Sequence, residues 1–263
     1  MIRALYTAAS GMTAQQLNVD NIANNLANAN TAGFKMRRAQ FEDLIYQNML
    51  QPGTSAGQQT TVPVGLQLGL GTRAAGNDII LTQGNLSSTS NPLDLAIQGK
   101  GFFQILLPSG ELAYTRAGSF QLDRSGNLVT SDGNLLQPQI TIPVNAQNVT
   151  IAQDGTVSFT VPGQSAAQKA GQIQLANFQN PAGLNSIGNS LFTQTDASGD
   201  AQIAAPGSTE GVGTIMQGYI EQSNVDVVQE FVDLIQSQRA YEANSRVVKA
   251  ADEMYQQVNQ LAQ

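Results

Sequence analysis

Residues 224–262, NVDVVQEFVDLIQSQRAYEANSRVVKAADEMYQQVNQLA, decide how this chain is built. Val227, Leu234, Tyr241, Val248, Tyr255 and Ala262 recur every seven residues, with Phe231, Ala251 and Val258 beside them. A seven-residue apolar repeat draws a narrow stripe along a helix, the seam of a coiled coil. The opposite end of the chain repeats the pattern. Leu5, Met12, Val19 and Leu26 recur at the same interval, and Ala8, Gln15, Ile22 and Ala29 lie three further along. Two seam-forming helices with a non-helical body between them predict an α+β chain whose ends pair as a stalk. Such a chain is a subunit made to assemble, not a pocket made to catalyse.

The first helix is expected from about residue 2 to residue 29, roughly 40 Å long at 1.5 Å per residue. Asn30-Thr31-Ala32-Gly33 supplies the left-handed stop. A second stripe, Asn18, Asn21, Asn25 and Asn28, follows the same 3-4-3 spacing. Four on one face read either as a solvated polar face or, since Asn is a poor helix former, as hydrogen bonds with neighbouring helices. The last helix is expected from about 224 to 261, opened by a capping box of Ser223 and Asp226. Asp226, Glu230 and Asp233 crowd its first turns and Arg239, Arg246 and Lys249 come later, which suits the helix dipole. Glu242 and Arg246 are spaced as an i,i+4 pair.

Between the helices the period changes to two. Candidate strands are 78–82, 102–107, 112–115, 119–122, 139–142, 149–151, 156–161 and 171–178. They are separated by Ser109-Gly110, Ser125-Gly126-Asn127, Asp132-Gly133-Asn134 and Asp154-Gly155. These short hairpins predict a central antiparallel β domain, a barrel or sandwich. Residues 51–61 are rich in Gly, Ser, Thr and Gln and read as an extended connector, while 62–71 alternate Gly with aliphatics and read as a strand or arm extended along another surface. The expected organisation is a terminal-helix assembly domain (1–34 plus 219–263) and a connector or brace (35–76) with a return linker (196–218). The central β domain spans 77–195.

Composition narrows the chemistry. The 263 residues are 41% apolar but only 12% charged, about half the usual charge. Asn, Gln, Ser, Thr and Gly replace it, giving neutral hydrogen-bonding surfaces that stack on copies of themselves without like-charge repulsion. Net charge is -7 with no basic run, so nucleic acid is not an expected partner. Lys35, Arg37 and Arg38 sit beside Glu42 and Asp43. Cys and His are absent, which excludes disulfides, thiolate or imidazole metal sites and a Ser–His–Asp triad. The start shows no cleaved secretory signal, and no apolar run spans a bilayer, so no membrane insertion is expected.

The weak catalytic motifs read as turns. Residues 65–76 lack the Gly-Lys-Ser/Thr of a phosphate loop. Asp196, Ser198 and Asp200 begin like a calcium loop, but Gly207 stands where the bidentate Glu is needed. Asp123 and Asp132 each lie at a hairpin turn, where Asp is ordinary, rather than as a carboxylate pair for glycoside cleavage. No cofactor is expected.

Three longer stretches are far more specific. Asn24-Asn25-Leu26-Ala27-Asn28-Ala29-Asn30-Thr31-Ala32-Gly33-Phe34-Lys35 resembles the N-terminal signature of the bacterial flagellar rod and hook proteins. Ser223-Asn224-Val225-Asp226, with Leu234-Ile235 and Gln238-Arg239-Ala240-Tyr241-Glu242-Ala243-Asn244, resembles that family's C-terminal signature. Asp94-Leu95-Ala96-Ile97-Gln98-Gly99-Lys100-Gly101-Phe102-Phe103 and Tyr114-Thr115-Arg116-Ala117-Gly118-Ser119-Phe120 look like its shared β domain. Ala32 and Phe34 stand where relatives often carry Pro and Tyr, both conservative changes. The connector and modest length resemble the family's distal-rod members rather than its hook or proximal-rod members.

The resemblance implies a structural, non-enzymatic subunit of the distal rod. Such subunits leave the cytoplasm through the flagellar type III export apparatus without a cleaved signal. They stack into a straight hollow tube, with terminal helices inside and β domains outside. The tube carries torque across the periplasm inside the L and P ring proteins, with proximal rod subunits below and hook subunits above. The alternatives are a hook or proximal-rod subunit, or a rod-associated cell-wall hydrolase. The residues expected at the assembly interface are Leu5, Met12, Val19, Ile22, Leu26, Asn18, Asn21, Asn25 and Asn28 near the start. Near the end they are Val227, Phe231, Leu234, Tyr241, Val248, Tyr255 and Val258. Seams this rich in small and polar residues are expected to stay largely disordered until neighbours bury them.

Overall fold

A computed structural model describes residues 2–52, 64–163, 166–208 and 211–261. The chain divides into two compact units. A helix–ribbon unit holds Met1–Leu26, Arg37–Asp78 and Asp226–Gln263, and a β unit holds Ala27–Met36 and Ile79–Val225. The polypeptide therefore passes from one unit to the other four times.

The helix–ribbon unit contains α1 (Ile2–Ala27) and α2 (Val227–Leu261). The first helix stops short of the predicted 29 because Asn28 turns to local partners. Its carbonyl accepts from Thr31 N and its side-chain oxygen from Thr31 Oγ1, both at 3.1 Å. Local bonds of this kind compete with helix continuation. The second helix starts later than predicted, and Asp226 rather than Ser223 caps it. The Asp226 carboxylate accepts from Val228 N at 2.9 Å and Gln229 N at 3.3 Å. Ser223 Oγ instead accepts from Val225 N at 3.3 Å. Asn224 is taken up by the β unit, donating to Ile80 O and accepting from Met36 N, both at 2.8 Å.

The described part of 35–76, expected as an extended connector, is mostly strand. Arg37–Asp43 pairs with Thr72–Ile79, and Tyr46–Leu50 pairs antiparallel with Leu66–Gly69. Tyr46 stands opposite Gly69 and Leu50 opposite Leu66, while Leu44 N donates to Gly71 O at 2.8 Å. The physical reason is period: the alternation of Gly with aliphatics is a strand pattern, and 46–50 supplies its partner. The middle of the connector, 53–63, lies outside the described residues. Every residue of Tyr46–Leu50 and Leu66–Gly69 is exposed.

The β unit is antiparallel throughout its ladders. The main sheet runs Asn185–Gly188, Leu191–Thr193, Leu112–Thr115, Phe102–Leu106, Leu135–Gln137, Leu128–Thr130, Phe120–Leu122. Leu175–Asn177 bridges Phe102–Leu106 and Gln202–Ala204. A three-stranded sheet (Asn148–Ile151, Thr156–Thr160, Gln168–Gln172) and a ladder of Leu95–Gln98 with Thr214–Gln217 complete the unit, together with one of Leu86–Ser88 with Tyr219–Glu221. Among the described residues the ladders of the main sheet branch at Phe102–Leu106 and form no closed ring. Part of 196–218, expected as a linker, is therefore strand. Residues 139–142, expected as a strand, lie outside the ladders; Leu135–Gln137 takes that place before the cis Gln137–Pro138 bond.

Phe102 and Phe103 show why this sheet is covered on both faces. Successive strand side chains point oppositely. Phe103 and Ile105 join a core with Leu95, Ile97, Phe120, Leu128, Leu136 and Ile215. Phe102 joins a second cluster with Tyr114, Phe178, Leu184 and Phe192. Its ring meets Phe178 and Phe192 edge-on at 5.9 and 6.0 Å. Gly118 permits the closest approach: a Cβ there would stand 1.6 Å from Leu95 O.

Candidate assembly surface

Within the helix–ribbon unit α1 and α2 meet along a line of small and polar residues. Asn18 Nδ2 donates to Ser237 Oγ at 2.8 Å. Asn25 Nδ2 lies 3.4 Å from both carboxylate oxygens of Glu230. Gly11 lies so close to Asn244 that an added Cβ would stand 2.9 Å from its Nδ2. Positions 11, 18 and 25 rise by seven as 244, 237 and 230 fall by seven, so the helices run antiparallel with one contact every two turns. Asn25 also fixes the ribbon, donating to Arg37 O at 2.8 Å and accepting from Arg37 N at 2.9 Å. Asn21 accepts from Asn77 Nδ2 at 2.9 Å. Burial holds the Glu230 carboxyl above its ordinary range, partly offset by the hydrogen bond from Asn25, while Asp233 pushes it further up.

The bulky residues expected in the seam flank this line instead of forming it. Ile22 is buried; Leu5, Met12, Val19, Leu26, Leu234, Val248 and Tyr255 are half-buried; Val227, Phe231, Tyr241 and Val258 are exposed. Asn18 and Asn25 lie on the helix contact, Asn21 meets the ribbon, and Asn28 lies just past α1. The line sits one residue before Met12, Val19 and Leu26. Small side chains and amides let the backbones approach where Leu or Met would hold them apart. Asn244 was expected in the seam, but Gly11, Glu230 and Ser237 were missed because they are not apolar, although their seven-residue spacing was present in the sequence.

The distribution of exposed apolar surface follows from this. Among the described residues, the buried apolar side chains of the helix–ribbon unit are Ala8, Ala14, Ile22 and Ala251. All but five of the exposed large apolar side chains belong to that unit; the exceptions are Leu112, Leu122, Val144, Ile187 and Ile203. Tyr6, Ile45 and Val228 are 72%, 84% and 74% exposed. Single exposed apolar residues are ordinary, but this concentration on one unit is the composition of an interaction surface.

The β unit contains an ionic cluster of a different kind. Lys35 Nζ lies 2.5 Å and Arg116 Nη1 3.2 Å from the two oxygens of Glu221, all three side chains essentially buried. Lys35 also donates to Thr82 O at 2.8 Å, Arg116 to Gly99 O at 2.7 Å, and Gly84 N to Glu221 at 3.0 Å. The guanidinium stacks over Phe102, 5.4 Å from the ring centre. Burial pushes both cations below their ordinary values, and Glu221 opposes that. Lys35 thus pairs with Glu221, not with its sequence neighbours Glu42 and Asp43.

Three family descriptions match this chain in order. Residues 5–35 match "Flagella basal body rod protein", 96–159 match "Flagellar hook protein FlgE/F/G D1 domain", and 216–261 match "Flagellar basal body rod FlgEFG protein C-terminal". The flagellar basal-body rod protein FlgG of Caulobacter vibrioides is 54% identical over 99% of both chains. The FlgG proteins of Buchnera aphidicola subsp. Schizaphis graminum and Borreliella burgdorferi are 50% and 48% identical, over 99% of this chain and 100% and 99% of theirs. The chain belongs to the flagellar basal-body rod protein family. As a rod protein it is a structural subunit and not an enzyme. The helix contact described above falls within the two terminal matches, and Arg116 within the middle one. Among the described residues no helix of this rod protein is long and apolar enough to cross a membrane. Of the two aspartates weighed as a carboxylate pair, Asp123 accepts from the adjacent Arg124 N at 2.6 Å and Asp132 from Asn189 Nδ2 at 3.0 Å.

Proposed function

We propose that this chain is a subunit of the flagellar distal rod that polymerises into a straight, hollow helical tube and carries motor torque across the periplasm. The observation that carries the reading is the concentration of exposed apolar side chains on the helix–ribbon unit, while the β unit has a core of its own. A helix pair held by amides and four buried small or aliphatic side chains gains its stability from neighbours. Copies of the chain cover the stripes, with the bulky flanks Leu5, Met12, Val19, Leu26, Leu234, Val248 and Tyr255 closing coiled-coil-like seams between terminal helices. A contact between two different surfaces of one chain repeats without closing, which makes a tube.

In this reading proximal rod subunits lie below, hook subunits above, and the L and P ring proteins around the shaft. The chain reaches the basal body through the flagellar type III apparatus, without a cleaved signal. The ribbon and the connector tip act as a brace that sets subunit spacing. Deleting 52–63 then gives a curved or bendable filament; an unchanged straight one would reduce the segment to a linker. The main experiment is concentration of the purified protein, followed by sedimentation and electron microscopy. Straight filaments are expected. A protein that stays monomeric at every concentration, with no rod in cells that produce it, would remove the reading.

A further inference from the structure

Residues 27–36 belong to the β unit, although the chain on either side of them belongs to the helix–ribbon unit. They form a strap with turns of its own: Asn28 O accepts from Thr31 N at 3.1 Å, and Thr31 O from Phe34 N at 3.3 Å. Among the described residues, neither apolar core of the β unit contains a member of this strap. What seats it is polar. Gly33 N donates to Glu221 O at 2.8 Å, Ile80 N to Met36 O at 2.9 Å, and Met36 N to Asn224 Oδ1 at 2.8 Å. Lys35 enters the buried ionic cluster, where two cations face one carboxylate, so the seated strap leaves that cluster with one surplus positive charge. Burial lowers the Lys35 amine; Glu221 opposes this, and the neighbouring Arg116 charge lowers it further.

The rest of the β unit keeps most of its bonds without the strap. Glu221 retains Arg116 Nη1 and Gly84 N, a balanced pair. Thr82 O retains Asn224 Nδ2 at 3.2 Å, and that amide retains Ile80 O at 2.8 Å. Ala117 N, against which Gly33 packs, is bonded to Thr115 Oγ1 at 3.0 Å. Lys35, once outside, recovers its hydration. A segment without core contacts, held by polar bonds, opens at a lower free energy than the unit it lies on. Within the helix–ribbon unit the base of the loop stays closed, because Asn25 donates to Arg37 O and accepts from Arg37 N.

We infer that residues 27–36 are a releasable strap, which lifts out of the β unit as one piece while that unit stays folded, and that the surplus charge of Lys35 keeps it loosely seated. Release changes how the chain is threaded: it then passes between the two units twice instead of four times. This holds for the single chain and does not depend on assembly into a rod.

The test is native-state hydrogen exchange of the full purified chain, read by mass spectrometry on fragments covering 29–36 and 102–106. The Gly33 and Met36 amides are expected to exchange about a hundredfold or more faster than those of Phe102–Leu106, with little dependence on added urea. Equal rates that rise together with urea would mean that the strap opens only with the whole unit, and overturn the inference. Lys35→Met keeps the length of the side chain and removes the surplus charge. It is expected to slow exchange of the strap by about tenfold and leave 102–106 unchanged; equal or faster exchange of the strap overturns the inference. Gly33→Ala separates seating from folding, since its Cβ would stand 2.3 Å from Ala117 N. Exchange of the strap is expected to rise by about tenfold or more while 102–106 stays protected. Loss of protection in both fragments together overturns the inference. The unmodified chain decides the matter even where a variant does not fold.

Discussion

Glu221 answers two buried cations at once, and most of what single substitutions will do to the β unit turns on that arrangement. Removing one member of a buried ionic group leaves the others uncompensated in a low-dielectric site. Glu221→Gln is expected to cost about 3–5 kcal/mol, read as a lower urea midpoint for the β unit. A loss below about 1 kcal/mol would mean that Lys35 and Arg116 find other partners. Gly118→Ala acts through space rather than charge. Its Cβ would collide with Leu95 O, so a loss of a few kcal/mol is expected from forced backbone movement. Glu230 gives a pH dependence of known sign. Its folded pKa lies above the ordinary 4.5, so the folded chain holds that proton more tightly than the unfolded chain does. Stability of the helix contact therefore rises as pH falls from neutral through the raised value, and levels off below 4.5. Glu230→Gln should flatten that part of the thermal-melting profile and raise stability at neutral pH. Retention of the full pH dependence would assign it to another group.

At the scale of elements, the helices were legible and their contact was not. The heptads of Leu5, Met12, Val19 and Leu26, and of Val227, Leu234 and Val248, place two long helices correctly, because periodicity outweighs the poor propensity of Asn and Thr. They misplace the touching line by one residue, because apolar periodicity cannot see a contact built from Gly11, Asn18, Asn25, Glu230, Ser237 and Asn244. The Asn spacing held that information. The ribbon was missed for a related reason. Gly-aliphatic alternation in 64–71 reads as a strand or arm without a partner until 46–50 is identified, and pairing is a long-range property that local composition does not carry. The helix seams make a prediction at this scale. Val248→Asp puts a charge on the half-buried flank of α2, at a cost of roughly 2 kcal/mol or more per contact. It should abolish sedimentable assembly while the β unit melts unchanged. Normal filament growth by this variant would show that the flank of α2 faces solvent in the rod.

For the molecule as a whole, the order of signatures along the chain told more than any element. Three separated stretches in the right sequence pointed to the rod and hook family, whereas the antiparallel β unit was recognisable only as short hairpins. Its strand pairings, such as Leu95–Gln98 with Thr214–Gln217, join positions too far apart for pattern reading. The contrast between the two units predicts a spectroscopic change. The β unit buries large aliphatics and aromatics, but the helix–ribbon unit buries almost none, so its helices should be marginal in the isolated monomer. Far-UV circular dichroism should show helix content rising when monomer becomes polymer. Equal content in both forms would mean that the helix pair is self-sufficient.

The late position of Glu221 in the chain governs when the interior of the β unit can close. Lys35 and Arg116 are made early, yet the carboxylate that neutralises them, and the strand Tyr219–Glu221 that carries it, arrive only near the finish. Until then the interior they occupy would have to shelter two unanswered charges, which keeps that interior from closing. The interior of the β unit therefore stays slack by construction in any part-made chain, and sets hard only once its last strands are in place.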